Sequence, residues 1–218
     1  MEAWSRDLMT PLQLIIAVSV GFTLYYFLGK LWNRRLQREL WRRIRPELAR
    51  RYGSFSFMPL GSSGFRILAA KPKGRGPRKL ELDLLLLDRE NLVHYPVQLA
   101  LGEVDKVVVK ANLKSRPKAR LEAASRSYRP ASRLEARAPS EGLLDAGEGV
   151  VAWSDRRVEG LRVLLSSGAA RALSEGALLR ISVSPEEPNL IVQARACESG
   201  VKAALDVAER IYLEDWSK

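Results

Sequence analysis

Two side chains in this sequence have the chemistry to act alone as a nucleophile or a general base: Cys197 and His94, the only cysteine and the only histidine among 218 residues. A thiolate nucleophile needs a neighbouring base or a positive field to lower its pKa. These two lie far apart in the chain, and nothing in the pattern pairs them. A metal centre needs several converging ligands, which one cysteine and one histidine do not offer. Cys197 reads as a small core or helix-start residue, and His94, beside Tyr95 and Pro96, as a structural one. Glu81 and Asp83 share one face of a strand and read as a solvated face; Glu186 and Glu187 sit in a turn. No carboxylate pair is spaced for general acid and base work. Gly61-Ser62-Ser63-Gly64 and the run KGRGPRK carry glycines without the phosphate-loop spacing, so both read as turns. The sequence predicts no catalytic residues, no metal, no cofactor and no small-molecule substrate.

What the sequence does offer is positive charge. The formal net charge is +11. Between Lys30 and Arg51 nine basic residues, among them Arg34, Arg35, Arg38, Arg42, Arg43 and Arg45, face only Glu39 and Glu47. A second cluster, Lys71, Lys73, Arg75 and Arg78, with Lys79 beside it, crowds a Gly/Pro-rich loop free of acids. Such clusters suit phosphate, on anionic lipid headgroups or on RNA. A looser set runs from Arg116 to Arg137. Aromatic residues do not alternate with it, so stacking of single-stranded bases is not indicated.

Ahead of the arginines lies a stretch from Leu8 to Gly29 with no ionised side chain. About 20 apolar residues in a helix cross a hydrocarbon core of about 30 Å. Leu12, Ile15, Ile16, Val20, Phe22, Leu24, Phe27 and Leu28 are the expected lipid contacts, and Tyr25, Tyr26 and Trp32 suit the headgroup level. The head MEAWSRD mixes Glu2, Arg6 and Asp7, and no small-residue cleavage site follows, which favours a retained anchor over a signal peptide. The basic collar predicts a cytoplasmic C-terminal side. The expected order is an external head at 1–7, a transmembrane helix at 8–29, a basic juxtamembrane helix at 30–53 and a cytoplasmic domain at 54–218, in the cell membrane or the endoplasmic reticulum membrane. A single cysteine excludes an internal disulfide and suits a reducing compartment.

The elements follow from periodicity. Leu36, Leu40, Trp41, Ile44 and Leu48 recur at helical spacing, with Pro46 as a possible kink and Gly53 as a C-cap residue. Residues 54–60, 65–70 and 79–87 read as strands. Residues 91–101 are ambiguous, and 105–113 alternates as a half-buried strand, with 118–125 its expected partner after the Arg116-Pro117 turn. Residues 126–149 read as a long excursion. Then come a strand at Val150–Trp153, a helix capped by Asp155, a short helix at 169–173, strands at 177–183 and 189–194, and a last helix opened by Ser199. That helix carries Val201, Ala204, Leu205, Ala208, Ile211 and Tyr212 on one stripe. The fold class is α+β: an N-terminal transmembrane helix continuing into a basic amphipathic helix, then an antiparallel sheet covered by helices.

The segment GKLWNRRLQRELWRRIRPELARRYGSFSF resembles the start of the cytosolic part of the calumin family, the coiled-coil subunits of the PAT complex that works at the Sec translocon. The matching positions are Gly29, Lys30, Asn33, Arg35, Leu36, Glu47, Leu48 and Phe55. LLLLDRENLVHYPVQLALGEVDKVVVKANL is similar to that family's strand, helix and strand, which implies a partly helical 89–101. The last third keeps the family's order and is the least specific part. Two departures stand out. The family's acidic, calcium-associated head is reduced here to Glu2 and Asp7, and its long basic coiled coil has no counterpart before Lys218. Calcium binding is therefore not carried over. The resemblance implies a non-enzymatic membrane-protein biogenesis factor. Its expected partners are the lipid bilayer, the Sec translocon and ribosome, and a small membrane chaperone subunit. The alternative is a membrane-tethered scaffold or regulator with a different cytoplasmic partner.

Overall fold

A computed structural model describes residues 10–70, 77, 79–129 and 142–214, with 157–160 described by backbone alone. The chain is mixed α+β: one long N-terminal helix, a nine-stranded antiparallel sheet and four shorter helices among the described residues.

Helix α1 runs unbroken over Pro11–Arg51. Thr10 caps it reciprocally with Gln13, and Pro11 fills the first turn, where a missing N–H costs nothing. The helix passes through the exposed Pro46, whose missing N–H leaves the Arg42 carbonyl without its usual helical donor. It ends at Arg51 with Tyr52 in extended backbone, and Gly53 does not take the left-handed conformation expected of it.

The strands are β1 (Ser54–Pro59), β2 (Gly64–Ala70), β3 (Lys79–Leu85), β4 (Lys106–Ala111), β5 (Leu121–Ser125), β6 (Leu143–Leu144), β7 (Val150–Ser154), β8 (Leu178–Val183) and β9 (Leu190–Arg195). They lie in the order β1-β2-β3-β4-β9-β8-β5-β7-β6. The register aligns one inner row across all nine strands: Phe57, Ile67, Leu82, Val109, Val192, Ile181, Ala123, Ala152 and Leu144. All but Phe57 are buried, as a period of two requires when one face meets a core.

Helix α2 spans His94–Ala100, α3 Arg157–Ser166, α4 Ala169–Ser174 and α5 Glu198–Leu213. Helix α5 packs on β4, β8, β9 and α1 through the predicted stripe of Val201, Ala204, Leu205, Ala208, Ile211 and Tyr212. Leu40, Ile44 and Leu48 of α1 join the same core. Arg51 ties the two helices at the surface by its ion pair with Asp206.

Several expectations need correction. Strand β5 pairs with β7 and β8, and β9 takes the place beside β4. Strand β3 ends at Leu85; Leu86 and Leu87 are buried beyond the ladder, the Leu86 N–H donating to the Ser63 carbonyl at 2.8 Å. Asp155 does not cap α3, where Arg156 holds that position; its carboxylate instead accepts from the Arg120 N–H at 2.8 Å. Helix α5 starts one residue earlier than expected, and Cys197 caps it by accepting from the Gly200 N–H. Glu81 and Asp83 are not a simple solvated face. The Asp83 side chain is only 5% exposed, and Lys110 bridges it to Glu81 with both contacts at 2.8 Å, while Arg66 Nε donates to Asp83 at 2.7 Å.

Candidate membrane junction

The eight side chains expected to meet lipid, Leu12, Ile15, Ile16, Val20, Phe22, Leu24, Phe27 and Leu28, are each more than half exposed. The apolar stretch has a mean hydropathy of 1.8 over its best 18 residues and buries nothing inside the fold. A core helix of a soluble protein would bury such a surface. A helix in a bilayer would not, because hydrocarbon takes the place of the core. Thr23 turns its hydroxyl back to the Ser19 carbonyl at 2.8 Å, removing a donor that lipid could not satisfy.

At Gly29 the surroundings of the helix change. A Cβ added there would lie 2.2 Å from the Arg89 carbonyl oxygen and 2.8 Å from the Glu90 Cα, so only glycine admits this approach. One turn on, Asn33 is fully buried. Its Nδ2 donates to the Leu87 carbonyl at 2.9 Å, and its Oδ1 accepts from Arg89 Nη1 at 3.0 Å. The same guanidinium makes a two-pronged contact with Asp105, at 2.9 and 2.7 Å, and Asp105 also accepts from the Leu87 N–H at 2.8 Å. The pair is largely shielded, with side chains 15% and 24% exposed. Arg89 also lies over the Tyr95 ring. Gln37 completes the attachment by donating to the Gly61 and Ser62 carbonyls of the β1–β2 turn. There Gly61 takes a φ of 78°. The expected turn thus becomes a docking point for α1.

Farther along α1 the docking is apolar. Leu40, Ile44 and Leu48 are buried, and Trp41 sits among Phe55, Phe57 and Phe65 with ring centroids 5.1 to 6.0 Å away. Arg34, Arg35, Arg38, Arg42, Arg43 and Arg45 are all exposed. Arg43 is spanned to Glu39 one turn back, a surface pair worth a few tenths of a kcal/mol. Lys71, Lys73, Arg75 and Arg78 lie outside the described residues, so the structure does not locate the second basic cluster.

The remaining chemical candidates stay apart. His94 is exposed at the start of α2, with Nδ1 3.2 Å from Asp88, and Cys197 is an exposed helix cap. Among the described residues no three His, Cys, Asp or Glu side chains gather to hold a metal ion. Sequence reasoning assigned no role to Arg89, Asp105 or Gln37, and took Asn33 only as a point of resemblance. One signal was available. Asn33 falls on the stripe of Leu36, Leu40, Ile44 and Leu48, and a lone amide on a stripe that packs inward needs a polar partner. No protein-family model matches this chain, and no curated protein matches it either.

Proposed function

We propose that this protein is a non-enzymatic, single-pass membrane-protein biogenesis factor. On this reading its cytoplasmic module stands beside the Sec translocon and ribosome, where it assists insertion of multipass proteins alongside a small membrane chaperone subunit. The observation that carries the proposal is the clamp of Gly29, Asn33, Arg89 and Asp105. It joins the module to the anchor without a linker, as a device that must hold a fixed position at a channel requires. The resemblance of residues 29–57 to calumin supplies the partner class. The head lies outside and the module inside, by the rule that basic collars stay in the cytoplasm.

The collar then has two parts. Along a helix near the bilayer normal, Arg34 and Arg35 stand within about 8 Å of Lys30 and reach headgroups. Arg42 and Arg45 lie roughly 18 and 22 Å beyond it, more than two Debye lengths at physiological salt. That outer face, on what we read as a basic amphipathic stretch, is placed for a polyanion that approaches the protein, with ribosomal RNA as the expected one. The test is co-purification from native membranes. Association with ribosome–translocon complexes at low salt that dissolves at high salt supports the reading, and no association at any salt removes it.

A second reading, a membrane-tethered scaffold for another partner, is favoured by one feature. Strand β1 is a sheet edge that exposes Phe57 and Met58, a surface able to accept a partner's strand. Crosslinking mass spectrometry on native membranes separates the two readings by the identity of the neighbours.

A further inference from the structure

Helix α2 has its polarity inside out. Tyr95 and Gln98 are its partly buried side chains: Gln98 Oε1 accepts from the Asp88 N–H at 2.8 Å, and Tyr95 lies under Arg89. The large apolar side chains of α2 and its flanks point away from the protein. Val97 and Leu99 of the helix and Leu92, Val93 and Leu101 beside it are between 42% and 75% exposed, and nothing in α2 is fully buried. A surface helix of a water-soluble domain turns its apolar face to the core and its polar face out. From Asn91 to Gly102 there is also no ionised Asp, Glu, Lys or Arg.

Position supplies the reason. Leu92 and Val93 share a cleft with Phe22, Tyr25 and Tyr26 of α1, which Asp88, Glu90 and Asn91 also line and so give a polar, headgroup-like side. Phe22 lies seven residues, about 10 Å along the helix, on the apolar side of Gly29. The outward apolar face of α2 therefore begins beside side chains that the membrane-spanning reading puts in the cytoplasmic half of the bilayer. We propose that residues 92–101 form a second, monotopic membrane contact, lying in the cytoplasmic leaflet at the boundary of headgroups and acyl chains. The occupant of the exposed face is lipid, continuous with the lipid around α1. The inference rests on the reading of α1 as a membrane span. It adds a second contact that fixes the module's tilt against the bilayer surface, which a single spanning helix leaves free.

The test uses the full-length protein in phosphatidylcholine vesicles doped with a phosphatidylcholine carrying a photoactivatable group on its acyl chain. Adducts are mapped by peptide mass spectrometry. Adducts on 92–101 as well as on 10–29 are expected. Adducts on 10–29 with none on 92–101 overturn this inference alone and mean that the face is covered by protein or water. Adducts on neither segment overturn the membrane-span reading and this inference with it. The triple variant Val93→Glu, Val97→Glu, Leu101→Glu alters only exposed side chains. It is expected to lose labelling on 92–101 and keep it on 10–29; unchanged labelling of 92–101 in this variant would refute insertion.

Discussion

Replacing Arg89 with methionine removes the centre of the clamp while keeping most of its bulk. Three hydrogen bonds go: one to Asn33 Oδ1 and two to Asp105. Asp105 is left with the Leu87 N–H as its remaining donor in the clamp, and the fully buried Asn33 carbonyl loses its partner. Breaking one side of a buried pair costs about 3–5 kcal/mol. Here water reaches a quarter of Asp105, which lowers the ionic part to about 2 kcal/mol, while the orphaned amide oxygen adds about 1 kcal/mol or more. The sum is about 3 kcal/mol. At roughly 2–4 °C per kcal/mol for a domain of this size, the thermal midpoint should fall by roughly 6–12 °C. Near-UV circular dichroism of the detergent-solubilised full chain reads that shift. A double-mutant cycle with Asp105→Asn should return a coupling of about 1.5 kcal/mol or more. A midpoint within about 2 °C of the parent, or strict additivity with Asp105→Asn, would show that the clamp contributes nothing and that α1 is held by its apolar stripe alone.

Gly29→Leu should destabilise the same assembly by more than 2 kcal/mol, because its Cβ meets backbone, whereas Gly21→Leu, with nothing within 4 Å, should leave the thermal midpoint unchanged. Trp41→Ala should cost about 2–4 kcal/mol in urea denaturation through loss of the aromatic cluster with Phe55, Phe57 and Phe65. Burial alone would raise the Asp83 pKa, but hydrogen bonds from Arg66 and Lys110 outweigh it and hold the carboxyl below the usual range. Its contribution is thus full above about pH 4 and lost as pH falls through the depressed value. Asp83→Asn should therefore be less stable than the parent at pH 7 by about 1–3 kcal/mol, and the gap should close in melts taken below pH 4. Neutralising Arg42, Arg43 and Arg45 to glutamine should flatten the salt dependence of ribosome co-sedimentation by up to about 0.9 in log–log slope per phosphate contact, and leave anionic-vesicle binding nearly intact. Neutralising Arg34 and Arg35 should do the reverse.

The strands and α5 were legible because their signals are local. Alternation in β4 and the stripe on α5 need only neighbours in sequence; the α5 stripe is buried as read, whereas in β4 Val108 is buried along with Val107 and Val109, so that strand is covered on both faces there and not half-buried. Strand pairing was not local. Strand β5 follows β4 in the chain, yet β9, some eighty residues later, takes the place beside β4, and no property of residues 118–125 announces that. Helix α2 was ambiguous for a physical reason: its apolar side chains point outward, so neither the strand nor the helix pattern for a core-facing element fits 91–101. The clamp was invisible as a unit because Asn33 lies 56 residues from Arg89, and Arg89 lies 16 from Asp105. Burial likewise separated Asp83 from an ordinary solvated acid, and only the register that sets it against Arg66 and near Lys110 shows why an ionised group is tolerated there.

The forces that dock α1 change along its length in the order its surroundings change. In hydrocarbon there is no hydrophobic gain from pressing an apolar helix against an apolar neighbour, because lipid tails are as apolar as leucine; close approach at small residues and hydrogen bonds must do the work. Just past its apolar stretch α1 uses those devices: Gly29 against backbone, then Asn33 and the Arg89–Asp105 pair. About two turns farther out, where water is the competitor, the docking passes to Leu40, Trp41, Ile44 and Leu48, and burial drives it. Helix α2 obeys the same rule from the other side, with polar groups turned to the clamp and apolar groups turned out. A soluble domain that merely carried a greasy tail would have no cause for this gradient, since its docking helix would be apolar on the inner face throughout. On the proposed membrane reading, the switch at Gly29 to Asn33 is where the bilayer surface is expected to lie.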